Sequence, residues 1–314
     1  MKYLIIDKKQ RISSSKKHTT ATLRIMEELG KKNVDFDFLL MDDIEIIFQN
    51  SKLKILGNGI DLSSYSHILF RGHSLGNHKE YETKRLVIDY IEQTNYPEGE
   101  KKPLIQNAQS YKVMPYYNKI WMAHICSQNN IPYFDSYYRL DGNYTVKRDF
   151  LEKFPLIIKE YHGENDIRII DGEEKIKKNV YKIDKPEDYK QEFLNEKDFK
   201  NYFIQEYCDT GEDMRIFLSK GKVVGGWKRK ARKGFMTVSQ GEYTMYNNPS
   251  QEIKELAQKT AKAFKADFIA ADFMFKQDKP YLQEISLNPG FKAYEEKAVG
   301  DEPANIAKYI IESF

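Results

Sequence analysis

Cysteine is scarce: Cys126 and Cys208 are the two in 314 residues. A chain this long can bury roughly three quarters of its unfolded surface, so it needs neither disulfide nor structural zinc. Both thiols are expected to be buried and without a catalytic part, since neither has the neighbours a nucleophile needs. Long apolar runs are missing too. No window approaches 18 consecutive apolar residues, mean hydropathy is −0.69, and the opening MKYLIIDKKQ turns charged before a signal-peptide core could form. The expectation is a soluble, cytoplasmic protein with no membrane partner. Nor is there an excess of one charge. Lys plus Arg number 50 and Asp plus Glu 47, a net charge of +3, too even for a histone-like or membrane-coating protein. Any anion site must then be local, and no recognised nucleic-acid module is present. No G-x-G-x-x-G follows the first strand candidate, where the turn reads Asp7-Lys8-Lys9-Gln10, which sets a dinucleotide fold aside. The six histidines form no H-x-x-x-H or Cys/His cluster, which argues against zinc. Internal repeats and low-complexity tracts are absent as well.

Aromatic residues are plentiful, with 22 Tyr, 18 Phe and 2 Trp, and 40% of the chain is hydrophobic, enough to build cores and to rule out disorder. The length predicts two or three packed units. Lys2–Ile6 reads as a buried strand. Thr19 or Thr20 caps a helix whose Leu23, Met26 and Leu29 face a core before Gly30 stops it. Val34–Leu40 and His67–Phe70 are further strands, so an α/β layer is expected from residue 1 to about 105. The polar, Pro- and Gly-containing stretch 96–103 marks a boundary. Beyond it, Asn118–Asn129 reads as a helix. Leu156–Lys159 and Ile167–Ile170 read as strands around the loop Glu160–Asp166, and the charged stretch Asp184–Lys200 as an exposed helix. From residue 203 the pattern is mainly β, broken by a helix from Ser250 with Ile253, Leu256, Ala257, Thr260, Ala261 and Phe264 at helical spacing.

Near the end of the chain, two apolar runs flank a polar turn: Asp267–Phe275, then Lys276–Pro280, then Tyr281–Gly290. They read as an antiparallel hairpin. If the turn centres on Asp278, equal steps outward bring Asp272 opposite Glu284, with Ser286 two residues further along the same face. Like charges facing each other among apolar residues destabilise a sheet unless a cation lies between them or a register slip turns one to solvent. Hard oxygen ligands of this kind suit Mg²⁺. Five basic residues, Lys228, Arg229, Lys230, Arg232 and Lys233, crowd a six-residue window and could hold phosphates or carboxylates. In a strand, Lys228 and Lys230 fall on the opposite side from Arg229. His73 and His78 lie in a Gly-containing loop, Arg71–His78, that reads as a connection.

Together these residues resemble a family. Glu284-Ile-Ser-Leu-Asn-Pro-Gly-Phe291 is similar to the metal motif of ATP-grasp ligases, in particular their RimK-like branch. Asp272 stands where that branch has its first metal carboxylate. Gly211-Glu-Asp-Met-Arg-Ile-Phe217 resembles its G-x-D-x-R strand, Trp227-Lys-Arg-Lys-Ala231 its basic strand, and Val238-Ser-Gln-Gly241 the loop that follows. The resemblance covers roughly residues 110 to 292. It implies that Lys119 and Lys159 contact ATP phosphates, that Gln205, Glu206 and Tyr207 form the hinge pairing with adenine, and that Asp213 and Lys228 lie near the nucleotide. It further implies a metal set of Asp272, Glu284, Ser286 and Asn288, with room for two Mg²⁺ ions, and catalytic parts for Arg229 and Arg215. Two departures stand out. Ser286 replaces the usual Asn ligand, with Asn288 as a substitute, and the loop 160–166 has one glycine and three acids where the family has small residues.

The fold expected from the resemblance is α/β and α+β, the ATP-grasp fold. It comprises an N-terminal α/β domain (1–105), a central lid (106–200) and a C-terminal domain with a mainly antiparallel sheet (201–314). The expected activity is ATP-dependent joining of a carboxylate to an amine through an acyl phosphate, on small-molecule or peptide partners and with a homo-oligomer allowed for. Two alternatives stay open: crosslinking of side chains in a ribosomal peptide by ester or amide bonds, and silent nucleotide binding.

Overall fold

A computed structural model describes residues 2–8, 19–72, 78–142, 153–160, 165–170, 173–178, 180–185, 187–188, 199–208, 212–230, 242–245, 248–297 and 305–314. The first strand, β1 (Lys2–Asp7), carries a run of buried residues on both faces, as a central parallel strand must. Helix α1 (Thr20–Lys31) is capped by Thr19, whose hydroxyl accepts from the Thr22 N–H. Its buried face differs from the expected one. Ala21, Thr22, Ile25, Glu28 and Leu29 are covered while Leu23 is exposed, because at 3.6 residues per turn Leu23 lies off the Ile25–Leu29 stripe. Nor does Gly30 end the helix; Asn33 beyond it takes the left-handed conformation (φ 52°).

After β2 (Asp35–Leu40), the strands β3 (Ile44–Gln49), β4 (Lys52–Gly57) and β5 (Ile60–Asp61) form a small antiparallel sheet. β6 (His67–Phe70) then returns beside β1. Helix α2 (His78–Gln93) leads to β7 (Leu104–Ile105), completing a parallel sheet in the order β2-β1-β6-β7. This is the α/β layer expected up to residue 105. Helices α3 (Ala108–Val113) and α4 (Lys119–Gln128) follow. Next come β8 (Ser136–Tyr137), β9 (Leu156–Glu160), the hairpin β10 (Asn165–Ile170) and β11 (Glu173–Lys178), β12 (Val180–Ile183) and β13 (Tyr202–Glu206). Apart from the hairpin they pair as an antiparallel sheet ordered β12-β9-β13-β8, with its own core of Leu156, Ile158, Tyr181, Ile183, Tyr202 and Ile204. Tyr111, Met122 and Ile125 of α3 and α4 pack elsewhere, in the core shared by the first and last sheets.

The last sheet is antiparallel and ordered β16-β15-β14-β17-β18, from β14 (Glu212–Ser219), β15 (Lys222–Lys230), β16 (Glu242–Met245), β17 (Phe268–Lys276) and β18 (Lys279–Ser286). Helix α5 (Gln251–Ala263) precedes β17. Ser250 caps it by accepting from the Ile253 N–H, and its predicted apolar stripe is buried. Short helices α6 (Lys292–Lys297) and α7 (Ile306–Ile311) follow β18. Alternation gives the sheet two unlike faces. Met214, Ile216, Ile269, Ala271, Phe273, Leu282 and Ile285 turn to the shared core with α5. On the other face Phe217, Trp227, Phe268 and Ala270 pack against Phe291, Tyr294 and α7, and beyond them the same face becomes charged.

Among the described residues no helix is long and apolar enough to cross a membrane. Expectations for residues 161–164, Gly211, Ala231, Arg232, Lys233, the segment 238–241, His73, His162 and most of the stretch 184–200 fall outside the described residues. Cys126 is buried, with its thiol pushed up to about 12 by burial; Cys208 is half-buried, and its thiol donates to the Phe275 carbonyl at 3.2 Å.

Candidate functional site

The hairpin places its acids by two offsetting irregularities. Gln277 and Asp278 both have left-handed φ (50° and 62°), and Lys276 faces Lys279, so the turn is a two-residue one centred before Asp278. Continued without interruption, that register would set Asp272 against Gln283 and turn Glu284 to the core side with Leu282. A bulge between Asp272 and Phe273 takes up one residue of β18 and restores the expected pairs, Asp272 opposite Glu284 and Ala270 opposite Ser286.

Cross-strand register builds the rest of the charged face. Asp272 lies opposite Arg215 of β14, and Asp213 opposite Arg229 of β15. Arg215 Nε and Nη2 donate to Asp272 Oδ1 and Oδ2 at 2.7 and 2.8 Å. Arg229 Nε and Nη2 donate to Asp213 Oδ1 and Oδ2, both at 2.5 Å, and Nη2 also reaches Asp272 Oδ2 at 2.8 Å. Two cations thus meet two anions in a charge-balanced quartet. Burial would raise the Asp272 carboxyl, yet Arg215 and Arg229 beside it outweigh burial and hold it below the ordinary range. Asp213 is pushed up to about 6 by burial and by the charge of Asp272, against the pull of Arg229. For Arg229, Asp272 and Asp213 more than offset burial and raise its value.

Asp272 therefore already has cations beside it, and they are arginines. Glu284, half-buried, makes no ion pair among the described residues. The Ser286 hydroxyl is buried with no partner of hydrogen-bond geometry, although it lies near enough to the Tyr117 phenol to affect its titration. Tyr117 itself donates to the Ile285 carbonyl at 2.5 Å. Asn288 is turned toward the first sheet: its Nδ2 donates to the Gly72 carbonyl at 3.2 Å and to the Tyr111 hydroxyl at 3.1 Å. Among the described residues no group of three or more His, Cys, Asp or Glu side chains stands together as a metal cage. The set here is two carboxylates and a hydroxyl.

A second group gathers at the central sheet. Lys159 on β9 donates to Gln205 Oε1 at 2.9 Å, and Gln205 Nε2 donates to Ser136 Oγ at 3.0 Å. Lys276 reaches from the far end of β17 to Glu206 Oε2 at 2.5 Å, which ties β13 to the five-stranded sheet. Lys182 Nζ lies 4.7 Å from the centre of the Tyr207 ring. Lys119 opens α4 behind its cap Asn118, and no described contact joins it to Lys159. Lys228 is exposed, on the opposite side of β15 from the buried Arg229, as alternation predicts. Arg71 and Lys84 do not stand out in the sequence, yet both are buried close to Asn288. Their one sequence-level signal is Arg71's place at the carboxyl end of a parallel strand.

A family model for the RimK-like ATP-grasp domain matches residues 118–314. A coenzyme gamma-F420-2:alpha-L-glutamate ligase of Methanocaldococcus jannaschii is 33% identical over 96 residues, covering 29% of this chain and 33% of that protein. The match therefore spans about a third of that relative's length. Macrocyclase MdnC of Microcystis aeruginosa MRC, solved with precursor peptide MdnA, superposes with a TM-score of 0.67 at 13% identity, covering 100% of both chains. ATP-grasp ligase PsnB, solved with a minimal precursor, Mg and ADP, superposes with a TM-score of 0.64 at 13% identity, over 99% of this chain and 96% of that one. At that identity the two structural likenesses speak for the fold alone.

Proposed function

The chain belongs to the RimK-like ATP-grasp family and has the ATP-grasp fold, and from that premise we propose that it is an ATP-dependent carboxylate–amine ligase. A carboxylate oxygen attacks the γ-phosphorus of ATP, and ADP leaves. The amine then attacks the acyl carbon of the acyl phosphate, phosphate departs, and the nitrogen gives up its proton. The observation that carries this reading is the charged face of the five-stranded sheet, where Glu284 and the unpartnered Ser286 hydroxyl lie beside the Asp213–Arg229–Asp272–Arg215 quartet.

The oxygens of Asp272, Glu284 and Ser286 are hard donors on one face and fit Mg²⁺, with Asn288 two residues beyond. When bound, one Mg²⁺ ion or two would draw charge from the nucleotide's phosphate oxygens. Little covalent chemistry is left to the protein, so its side chains act by position and charge. Lys159 and Lys119 hold phosphate oxygens. Gln205, Glu206 and Tyr207 present the edge for adenine, with Asp213 near the nucleotide; Lys228, expected there too, lies on the other side of β15 from that face. Arg215 is the more exposed of the two arginines and meets the phosphoryl oxygens. Arg229, given a catalytic part by the resemblance, is enclosed by Asp213 and Asp272, so it works by fixing Asp272. The central sheet, with edges nearer Ser136 and Glu206 than 106 and 200, serves as the lid. The partners are a small-molecule or peptide carboxylate and an amine.

Peptide crosslinking is the second reading, favoured by the full-length likeness to MdnC solved with a precursor peptide. Incubation with Mg–ATP, a panel of amino acids and peptides, and hydroxylamine as a surrogate amine tests the proposal. ADP together with a hydroxamate is the expected result. Binding of Mg–ATP without either product would favour silent nucleotide binding instead.

A further inference from the structure

The carboxyl ends of β1 and β6 gather three buried charges that the proposed chemistry leaves unused. Arg71, directly after β6, is 3% exposed. Its Nη2 donates to the Pro289 carbonyl at 2.9 Å, while Nε and Nη1 are buried without a partner. Lys84 of α2, 1% exposed, donates to the carbonyls of Arg71 and Gly72 at 3.4 and 3.2 Å. Asp7, the acid of this cluster, is taken up by other donors: the Lys8 N–H at 2.8 Å and the hydroxyls of Thr19 and Thr22 at 3.0 and 2.6 Å. Gly72 (φ +74°) lets the strand ends close up, since a Cβ there would come 2.9 Å from Lys8 Cγ and 3.1 Å from Asp7 Oδ1. Half of a buried guanidinium is therefore unsatisfied. Such a group is costly unless something supplies the missing charge. Burial, helped by the charges of Lys8 and Arg71, pulls the Lys84 ammonium down to about 7, although Glu80 and Asp7 oppose it.

Position points to a ligand. Open parallel α/β sheets bind their ligands at the carboxyl ends of the strands. The loop following β18 closes on this cluster, with Pro289 holding Arg71 and Asn288 holding the Gly72 carbonyl. A molecule held here lies one short loop from Ser286 and the face proposed for phosphoryl transfer. We propose that Arg71, backed by Lys84, binds a carboxylate of the substrate that does not itself react. A guanidinium with two unpartnered nitrogens suits a carboxylate. A carboxylate held by a guanidinium is a weakened nucleophile, so the carboxylate that attacks ATP is a different one. The anchored group belongs either to the amine-bearing acceptor or to a second acidic arm of the activated partner. This inference rests on the ligase reading.

The test titrates the full-length protein, saturated with Mg–ATP, with L-alanine, glutarate and L-glutamate in a calorimeter. At least one of them should bind the wild type. Arg71→Met should weaken that binding by about tenfold or more, with Arg71→Lys between the two, while Mg–ATP affinity stays unchanged. Lys84→Met, useful should Arg71→Met fail to fold, should lose affinity in the same direction. Binding of L-alanine without glutarate supports the acceptor's carboxylate; glutarate without L-alanine supports the activated partner's second arm. Wild-type affinity in Arg71→Met and in Lys84→Met overturns the proposal, as does a wild type that binds Mg–ATP and none of the three. In both cases the ligase reading still stands. A wild type that fails to bind Mg–ATP overturns that reading and the proposal with it.

Discussion

Two buried ionic clusters flank the loop that follows β18, and they balance charge in different ways. On the five-stranded sheet, Arg215 and Arg229 face Asp272 and Asp213 across neighbouring strands. At the ends of β1 and β6, Arg71 keeps two buried nitrogens without a partner, and the oxygens of nearby Asp7 are engaged by hydroxyls and a backbone amide. Antiparallel register brings opposite charges side by side and lets each satisfy the other. At parallel strand ends the groups arrive from separate elements, with no such register to pair them. The balanced quartet keeps its geometry without a ligand and can hold Asp272 in place. The unbalanced set is suited to something that arrives with negative charge.

Removing Asp272 tests that contrast most severely. Asp272→Asn leaves the buried Arg229 and the half-buried Arg215 facing a neutral amide, so denaturant melts should show a loss of about 3–5 kcal/mol. ADP formation should fall on the order of 10²–10³-fold; wild-type turnover would remove Asp272 from the site. Arg71→Met should behave oppositely and stay within about 1 kcal/mol of wild type, because it deletes a cation that the fold has not paired.

Arg229 comes next. Arg229→Ala should lower turnover about 10²-fold, and Arg229→Lys, which keeps charge without the fork, by less. If Arg229 acts through Asp272, kcat falls while KM for the carboxylate substrate holds. A rise in that KM with kcat intact would mean direct contact with the substrate.

Stability against pH should separate the two acids of the quartet. The depressed Asp272 carboxyl stabilises the fold at neutral pH, a contribution lost as pH falls below about 4. Asp213, raised to about 6 in the fold, does the reverse: the folded state holds its proton longer, so its contribution fades as pH rises from about 4 toward 6. Each effect should be on the order of 1–2 kcal/mol, and Asp213→Asn should flatten the slope between those pH values. The smallest effect is expected from Ser286→Asn, which should keep or modestly improve Mg²⁺-dependent ADP formation. A complete loss there would mean that the position packs rather than binds.

Much of this could be read from local pattern. The cap and stripe of α5, the apolar strand β1 and the final hairpin each depend on residues close in sequence, where periodicity and turn chemistry act. The stripe of α1 was misplaced because Leu23 is as apolar as Ile25, and only packing against its neighbours decides which is covered. Burial of Arg71 depends on Pro289 and Phe291, far along the chain, so composition around residue 71 carries no trace of it. The same holds for Arg229, whose enclosure requires Asp272 on a strand that is not its neighbour. The bulge in β18 did leave a mark. Leu282, Ile285 and Leu287 all reach the core, a spacing of three and then two that no regular strand produces.

That bulge has the character of a dislocation in a crystal. An odd number of residues separates Asp272 from Glu284, so one residue of β18 must remain unmatched somewhere between the two acids and the tip. It rests at Gln283, pinned there because Leu282 is seated in the core. Were it to glide outward until the turn absorbed it, every pair from Phe273–Leu282 to the tip would shift by one place. Asp272 would still face Glu284. The two acids are thus invariant to slippage of the hairpin's outer half, and wear at the exposed tip does not propagate to the chemistry at its base.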